Sequence, residues 1–291
     1  MDWSDKVVLI TGASSGVGRG LALELARRGA KLGLLARGTE VRQAASAAAG
    51  AEAISLSTRE APRIEPSARL QAVASEIERE AHSKNAPRQQ QTMMLPADVR
   101  DAKAVRAAAD GLRERFGRID VLIANAGIAI TTDATELDPE EVAILLSVNV
   151  IGAVNSIAAV LPEMVKCGSG QLVAISSLSA YRGLRKSAAY CASKASLSAF
   201  FESVRIDLIG TGVDVTIIHP GFIKTPLTAG RKAQMPYLME VDYAVNKMIR
   251  AIEKRKKSYA FPWQLATIVR AALIMPNFMY DWIATRNSFR E

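Results

Sequence analysis

Short runs of β-branched and aliphatic residues alternate with longer helical stretches along most of this chain. Residues 6–11 (KVVLIT) form the first run, which ends at Gly12. A glycine-rich turn follows, and helical periodicity then covers residues 21–28, so the unit reads strand, loop, helix. Further strands are predicted over residues 30–36, 92–97, 119–124 (IDVLIA), 171–176 (QLVAIS), 213–219 (VDVTIIH) and 258–261. Helices are predicted over residues 102–116, 139–161, 188–209 and 241–253. The strand runs are predominantly apolar instead of strictly alternating, so both faces of their sheet are expected to be buried. Such strands alternating with helices predict an α/β fold, a doubly wound parallel sheet of about seven strands.

Two regions depart from this rhythm. The connection over residues 38–91 is longer than one crossover helix needs. Residues 44–53 are alanine-rich, 57–66 carry two prolines, and 68–82 are again helical. This reads as an elaborated crossover with an exposed loop, to which no chemistry is assigned. The second region is the tail, residues 263–291, rich in Trp, Met, Phe and Tyr and interrupted by Arg270 and Pro276. One or two short helices are expected there, forming a cap over a pocket or a subunit contact; shallow membrane attachment is the weaker reading. The organisation is therefore one domain over residues 1–262 followed by an apolar helical tail over 263–291.

Composition narrows the class. The 291 residues are 49% hydrophobic and 23% charged, ordinary values for a soluble globular protein. The opening Met1-Asp2-Trp3-Ser4-Asp5 does not resemble a secretory signal, and no apolar run of roughly 18–20 residues is expected to span a membrane. Cys167 and Cys191 offer neither a disulfide framework nor zinc spacing, and a cytoplasmic, reducing location is expected. The net charge of +8 raises the question of nucleic acid. The cations are scattered, however, apart from Lys254-Arg255-Lys256-Lys257, which reads as a solvated helix end. No nucleic-acid partner is expected; a phosphate-bearing cofactor would use some of these cations.

Tyr190 and Lys194 stand four apart on a predicted helix and share a face. Such pairs are often mere surface neighbours. A cation close to a phenol also favours phenolate, which would tune Tyr190 as a general acid/base. Thr11-Gly12-Ala13-Ser14-Ser15-Gly16-Val17-Gly18 lies where the first strand turns into the first helix. Glycines let a backbone approach a pyrophosphate, and a helix N-terminus offers free N–H groups. The spacing is not G-x-G-x-x-G. A Ser-His-Asp hydrolase is not supported, since His82 lies in the exposed crossover and His219 stands beside Pro220 as a packed or hydrogen-bonded loop residue. No His, Cys and carboxylate cluster has metal-ligand spacing.

Taken in order, these motifs resemble the short-chain dehydrogenase/reductase family over roughly residues 5–262. The glycine turn matches T-G-x-x-x-G-x-G, and Asn125-Ala126-Gly127 follows the fourth strand. Asn149 lies inside the long helix, Ser177 stands thirteen residues before Tyr190, and Tyr190 through Lys194 gives Y-x-x-x-K. Pro220, Gly221, Ile223 and Thr225 fall in a segment resembling P-G-x-x-x-T. The resemblance implies a single-domain Rossmann-like fold and hydride exchange between a nicotinamide dinucleotide and a carbonyl or secondary alcohol. It implies that Tyr190 passes the proton, Ser177 holds the substrate oxygen, and Lys194 tunes Tyr190 and holds the nicotinamide ribose. Asn149 resembles the helix-kinking Asn whose backbone carbonyl holds a water in a proton relay to Lys194.

It also implies cofactor contacts from Gly12, Ser14, Ser15, Gly16, Val17 and Gly18, and from Asn125, Ala126 and Gly127. Asp98 and Val99 resemble the pair at the adenine edge. At the end of the second strand, Ala36 stands where an NAD enzyme carries an acidic residue, and Arg37 follows. A guanidinium can take a 2′-phosphate bidentately, so NADP(H) is expected in preference to NAD(H). The pocket is expected from residues 128–132, 178–186 and 226–237; with the apolar tail, these point to an apolar or lipid-like ketone such as a 3-keto long-chain base or sterol. Arg185 and Lys186 are read as solvent-exposed more readily than as contacts for an anionic substrate. The family commonly pairs through the helices at 139–161 and 188–209, so a homodimer or homotetramer is expected. The rival class is a non-catalytic nucleotide-sensing or scaffold protein on the same fold, whose signature would be loss of Ser177, Tyr190 or Lys194.

Overall fold

The structure, a computed structural model, describes residues 1–41, 63–83, 91–229 and 234–286. Its strands, in chain order, are β1 (Val7–Thr11), β2 (Lys31–Ala36), β3 (Gly38–Val41), β4 (Arg63–Pro66), β5 (Thr92–Pro96), β6 (Val121–Ala124), β7 (Gly170–Ile175), β8 (Val213–Pro220) and β9 (Ser258–Phe261). The helices are α1 (Gly16–Arg27), α2 (Ala68–Ser83), α3 (Ala102–Phe116), α4 (Pro139–Leu146), α5 (Gly152–Lys166), α6 (Ala188–Asp207), α7 (Val241–Glu253), α8 (Trp263–Ile274) and α9 (Asn277–Arg286). Seven strands form one parallel sheet in the order β5-β2-β1-β6-β7-β8-β9. The chain order reverses between β1 and β6, and a ligand crevice is expected outside the carboxyl ends of strands at such a switch.

All five residues of β1 are buried, and their alternation divides the core into two layers. Val8 and Ile10 pack with α1, α2 and α7, whereas Val7 and Leu9 pack with α3, α5 and α6. Local signals fix the helix ends. The Asp101 carboxylate accepts from the Lys103 and Ala104 amides (2.9 and 3.1 Å) to start α3, and Gly117, at φ +87°, ends it. Losing such an N-cap typically costs about 1 kcal/mol.

Four elements differ from the sequence expectation. Helix α1 begins at Gly16, inside the glycine turn, earlier than its apolar periodicity starts. Glycine weakens the helical signal, yet it is required here: a Cβ on Gly20 would lie 2.7 Å from the Val241 side chain of α7. The elaborated crossover contains an antiparallel pair, β3 with β4, before the expected helix α2. The alanine-rich stretch at 44–53 lies outside the described residues. The long helix runs on from residue 139 to Lys166, with a π-helical turn at Ser147–Ile151 carrying Asn149. That continuous Pro139–Lys166 helix is long and apolar enough to cross a membrane, which corrects the expectation that none is; 44% of its most apolar window is buried, and α5 packs on α3 and β7.

The tail forms two helices, α8 and α9, parted at Met275-Pro276. Strand β9 separates the basic run at residues 254–257 from this tail, placing the two at opposite ends of the sheet.

Candidate active site

A cleft of about 1000 Å³ opens at the carboxyl edge of the sheet. Gly12, Ser14, Ser15, Gly16, Val17, Arg37, Asp98, Val99, Asn125, Ala126, Gly127, Ser177, Tyr190, Lys194, Pro220, Gly221, Ile223 and Thr225 all line it. Gly18 and Asn149, both buried, stand behind that lining and shape it.

The glycine turn is held from below. Thr11 Oγ1 accepts from the amides of Asn125 and Ala126, both at 3.0 Å, and Asn125 Nδ2 donates to the Thr11 carbonyl at 3.0 Å. The ends of β1 and β6 are thereby tied together, and the Asn125 side chain is spent on that tie. Thr11, the first residue of the matched motif, had no role assigned from sequence; its hydroxyl proves to be the tie between the two strand ends. A Cβ on Gly18 would lie 2.2 Å from the Gly12 carbonyl oxygen, so only glycine fits this crossing.

Gly12 and Gly16 have φ of +69° and +54°, and the Ser15 side chain makes no capping bond to α1. The first N–H groups of α1 therefore face the cleft uncapped, an arrangement suited to a pyrophosphate. A dinucleotide fits this cradle, with the turn for its phosphates, Arg37 and Asp98 at one end of the cleft and Tyr190 toward the other. Asp98 is gripped by Arg100 (Nη2–Oδ2, 2.8 Å), which holds its carboxyl below the usual range. Ser67 and Arg69, contributed by the crossover at the start of α2, line the same end and were not anticipated. The turn also reads G-x-S-x-G over residues 12–16, a spacing shared with hydrolase elbows. His219 does not serve Ser14, being engaged elsewhere as described below.

At the other end, α6 carries Tyr190 and Lys194. Lys194 is buried, and its Nζ donates to the Ile175 carbonyl at the end of β7 (2.9 Å). Nζ also lies 5.8 Å from the centroid of the Tyr190 ring. Burial lowers its pKa from 10.5 to about 8. Asn149 faces α6 from the π turn. Its Oδ1 accepts from the Ile128 amide (2.8 Å), while Nδ2 donates to the Ile128 carbonyl and to Ser193 Oγ, each at 3.0 Å. Ser193 Oγ in turn donates to the Tyr190 carbonyl at 2.8 Å. The side chain of Asn149 therefore fixes the loop after β6 and the backbone of Tyr190 together.

The two adjacent serines differ. Ser176 Oγ bonds the Lys194 carbonyl and Ser198 Oγ, anchoring α6 to the end of β7. Ser177 caps the short 3-10 turn Leu178–Ala180, accepting from the Ser179 amide at 3.1 Å, and it reaches the cleft. His219 lies within β8, not in a loop. It is buried, tilts onto the Tyr181 ring at 5.0 Å and hydrogen-bonds the Ser177 backbone. Burial, assisted by Arg270, lowers its pKa to about 4, so the imidazole is neutral near pH 7.

Beyond Tyr190 the wall is largely apolar: Ile128, Val148, Leu178, Leu184 and Phe222, closed by Leu265, Ile268, Val269, Met275 and Ile283 of the tail, with Arg182, Arg185 and Tyr280 also on the lining. Of the expected pocket segments, 178–186 contributes most, while Thr132 is buried away in a bridge to Ser187. Residues 230–233 lie outside the described residues. Arg185 is exposed at the rim, and Lys186 pairs with Asp133 at 3.8 Å.

Comparison with known proteins agrees with this architecture. The family model described as short chain dehydrogenase matches residues 6–64 and 63–236. A protein of Myxococcus xanthus named an uncharacterized oxidoreductase is 40% identical over 285 residues, covering 98% of both chains. An 11-beta-hydroxysteroid dehydrogenase 1A of Arabidopsis thaliana is 37% identical over 227 residues, 78% of this chain and 54% of that one. A solved short-chain dehydrogenase from Streptomyces avermitilis superposes with a TM-score of 0.70 at 23% identity, covering 94% of this chain and 93% of the other. The chain belongs to the short-chain dehydrogenase/reductase family. It is thus an oxidoreductase of the class that works with a nicotinamide cofactor on small molecules.

Proposed function

We propose that the protein is an NADP(H)-dependent carbonyl reductase or alcohol dehydrogenase acting on an apolar, lipid-like ketone or secondary alcohol. The observation that carries this reading is the single cleft, which joins Arg37 and the uncapped turn at one end to Ser177, Tyr190 and an apolar wall at the other. No acidic residue stands at Ala36 to hold a ribose diol, and the neighbouring guanidinium suits a 2′-phosphate. When bound, the nicotinamide supplies or accepts the hydride. In reduction, Ser177 Oγ orients the carbonyl oxygen and Tyr190 donates its phenolic proton to that oxygen. Protonated Lys194 stabilises the phenolate that remains, and Asn149 keeps Tyr190 and the loop after β6 in register.

The apolar wall supports an aliphatic or sterol-like substrate, and the name of the Arabidopsis relative lends the same class some support. The cap role of the tail, residues 263–291, belongs to this proposal. So does a homodimer or homotetramer in the cytoplasm, for which exposed Ile151 on the long helix and Ile206 and Ile209 at the end of α6 provide apolar contact surface. NADPH oxidation, followed by absorbance against ketones and aldehydes of graded chain length, tests the activity. Turnover that improves with chain length is expected. Tight NADPH binding without turnover of any carbonyl would instead support the non-catalytic sensor.

A further inference from the structure

Helix α8 is seated by a small apolar cluster in which Leu265, Ala266 and Val269 meet Leu178, Tyr181 and Phe222, whereas α9 meets the substrate segment through polar contacts. Only Leu265 and Ala266, both in α8, are buried among the described tail residues, and none of residues 277–285 of α9 is buried. A ten-residue helix of that kind has little stability of its own. What secures it is Arg182. Its Nη1 donates to the Ala272 carbonyl at 2.7 Å and, at longer range, to those of Leu273 and Met275 (3.3 and 3.4 Å). Its Nη2 donates to Asn277 Oδ1 at 2.9 Å, and its guanidinium carbon stands 4.2 Å from the centroid of the Tyr280 ring. The Tyr280 hydroxyl returns a bond to the Gly183 carbonyl. The last turn of α8 has no basic residue of its own, so Arg182 also supplies the cation that its dipole favours.

We infer that Arg182 is a positioning residue that latches α8 and α9 over the outer half of the cleft, and that the closed tail selects long apolar substrates. The selection half rests on the proposed carbonyl activity; the latch does not. Met275 and Ile283 reach the cavity only because the tail lies down, and Arg182 stands five residues after Ser177 on the same segment. A short ketone held at Ser177 and Tyr190 would not touch the tail, whereas a long one would lie against it.

The test compares full-length wild type, Arg182→Ala and Tyr280→Phe, the last keeping the ring and its volume. Limited trypsin digestion read by mass spectrometry should show cleavage after Arg270 accelerated at least about tenfold in Arg182→Ala, the ratio that one charge-assisted hydrogen bond alone implies, with cleavage after Arg113 of the core unchanged. With NADPH, KM for dodecan-2-one should rise about tenfold with kcat altered less than about twofold, while KM for butan-2-one moves less than about twofold. Tyr280→Phe should shift both readouts in the same direction by about threefold. Unchanged cleavage after Arg270 in both variants would overturn the latch. Released tails with equal KM shifts for both ketones would overturn the selection. If wild type reduces neither ketone, the carbonyl activity and the selection fall together, and the digestion alone decides the latch.

Discussion

Lys194 Nζ donates to the Ile175 carbonyl at 2.9 Å from a buried position on the cleft wall, so the cation proposed to support Tyr190 is itself only weakly held in its charged form. Burial sets its pKa at about 8. In the proposed mechanism, carbonyl reduction needs both a protonated Tyr190 and a charged Lys194. The kcat/KM for reduction is therefore expected to hold through neutral pH and fall as pH rises past about 8. Because the folded value lies below the ordinary 10.5, the unfolded chain binds more protons between these values, and this group's contribution to stability rises with pH across that window. A reductive profile still level at about pH 10 would contradict the assignment.

Asn149 makes three side-chain hydrogen bonds while almost wholly buried. Asn149→Ala leaves the half-buried Ile128 amide and carbonyl and the buried Ser193 hydroxyl without these partners. An unsatisfied buried group costs about 1–3 kcal/mol, so a loss of roughly 2–4 kcal/mol is expected in urea unfolding, with activity falling further as Tyr190 loses its registration. A variant within about 0.5 kcal/mol of wild type would show that the cross-tie carries little.

The strands and motifs were legible because the buried strands are predominantly apolar and most motifs sit at strand ends, with Asn149 and the Tyr190/Lys194 pair on the helices between them. Less legible were features set by tertiary contact. The start of α1 is masked by glycines that exist to let α7 and the Gly12 carbonyl come close. The β3–β4 pair lacks any long apolar run. His219 looked like a loop residue, since nothing local reveals that β8 lies beside β7 and brings the imidazole against Ser177. The tail was readable as helical and apolar, but its attachment through Arg182 depends on two segments about ninety residues apart and has no local signature.

His219 also gives a stability test. Its folded pKa of about 4 lies below the ordinary 6.5, so the unfolded chain binds the extra proton between these values. Stability from this group is full above about 6.5 and is lost as pH falls toward 4. Thermal unfolding of wild type should weaken over that range more than that of His219→Gln. Parallel pH dependence in the two proteins would argue that the imidazole is not held neutral.

In the proposed reading, cofactor choice turns on Arg37, exposed at the end of β2 and lining the cleft. Arg37→Ala is expected to lower kcat/KM for NADPH about a hundredfold, the size of a lost charged bidentate contact, and to leave NADH use nearly unchanged. Equal use of both cofactors by wild type would contradict the preference.

The most direct test of the proposed chemistry is Tyr190→Phe, which removes one oxygen and keeps the ring beside Lys194. Measured with the best ketone from the chain-length panel, kcat should fall at least about a thousandfold, within the reach of general acid catalysis, while the Kd for NADPH stays within about twofold. Retained turnover in Tyr190→Phe would contradict the assignment of Tyr190 as the proton donor.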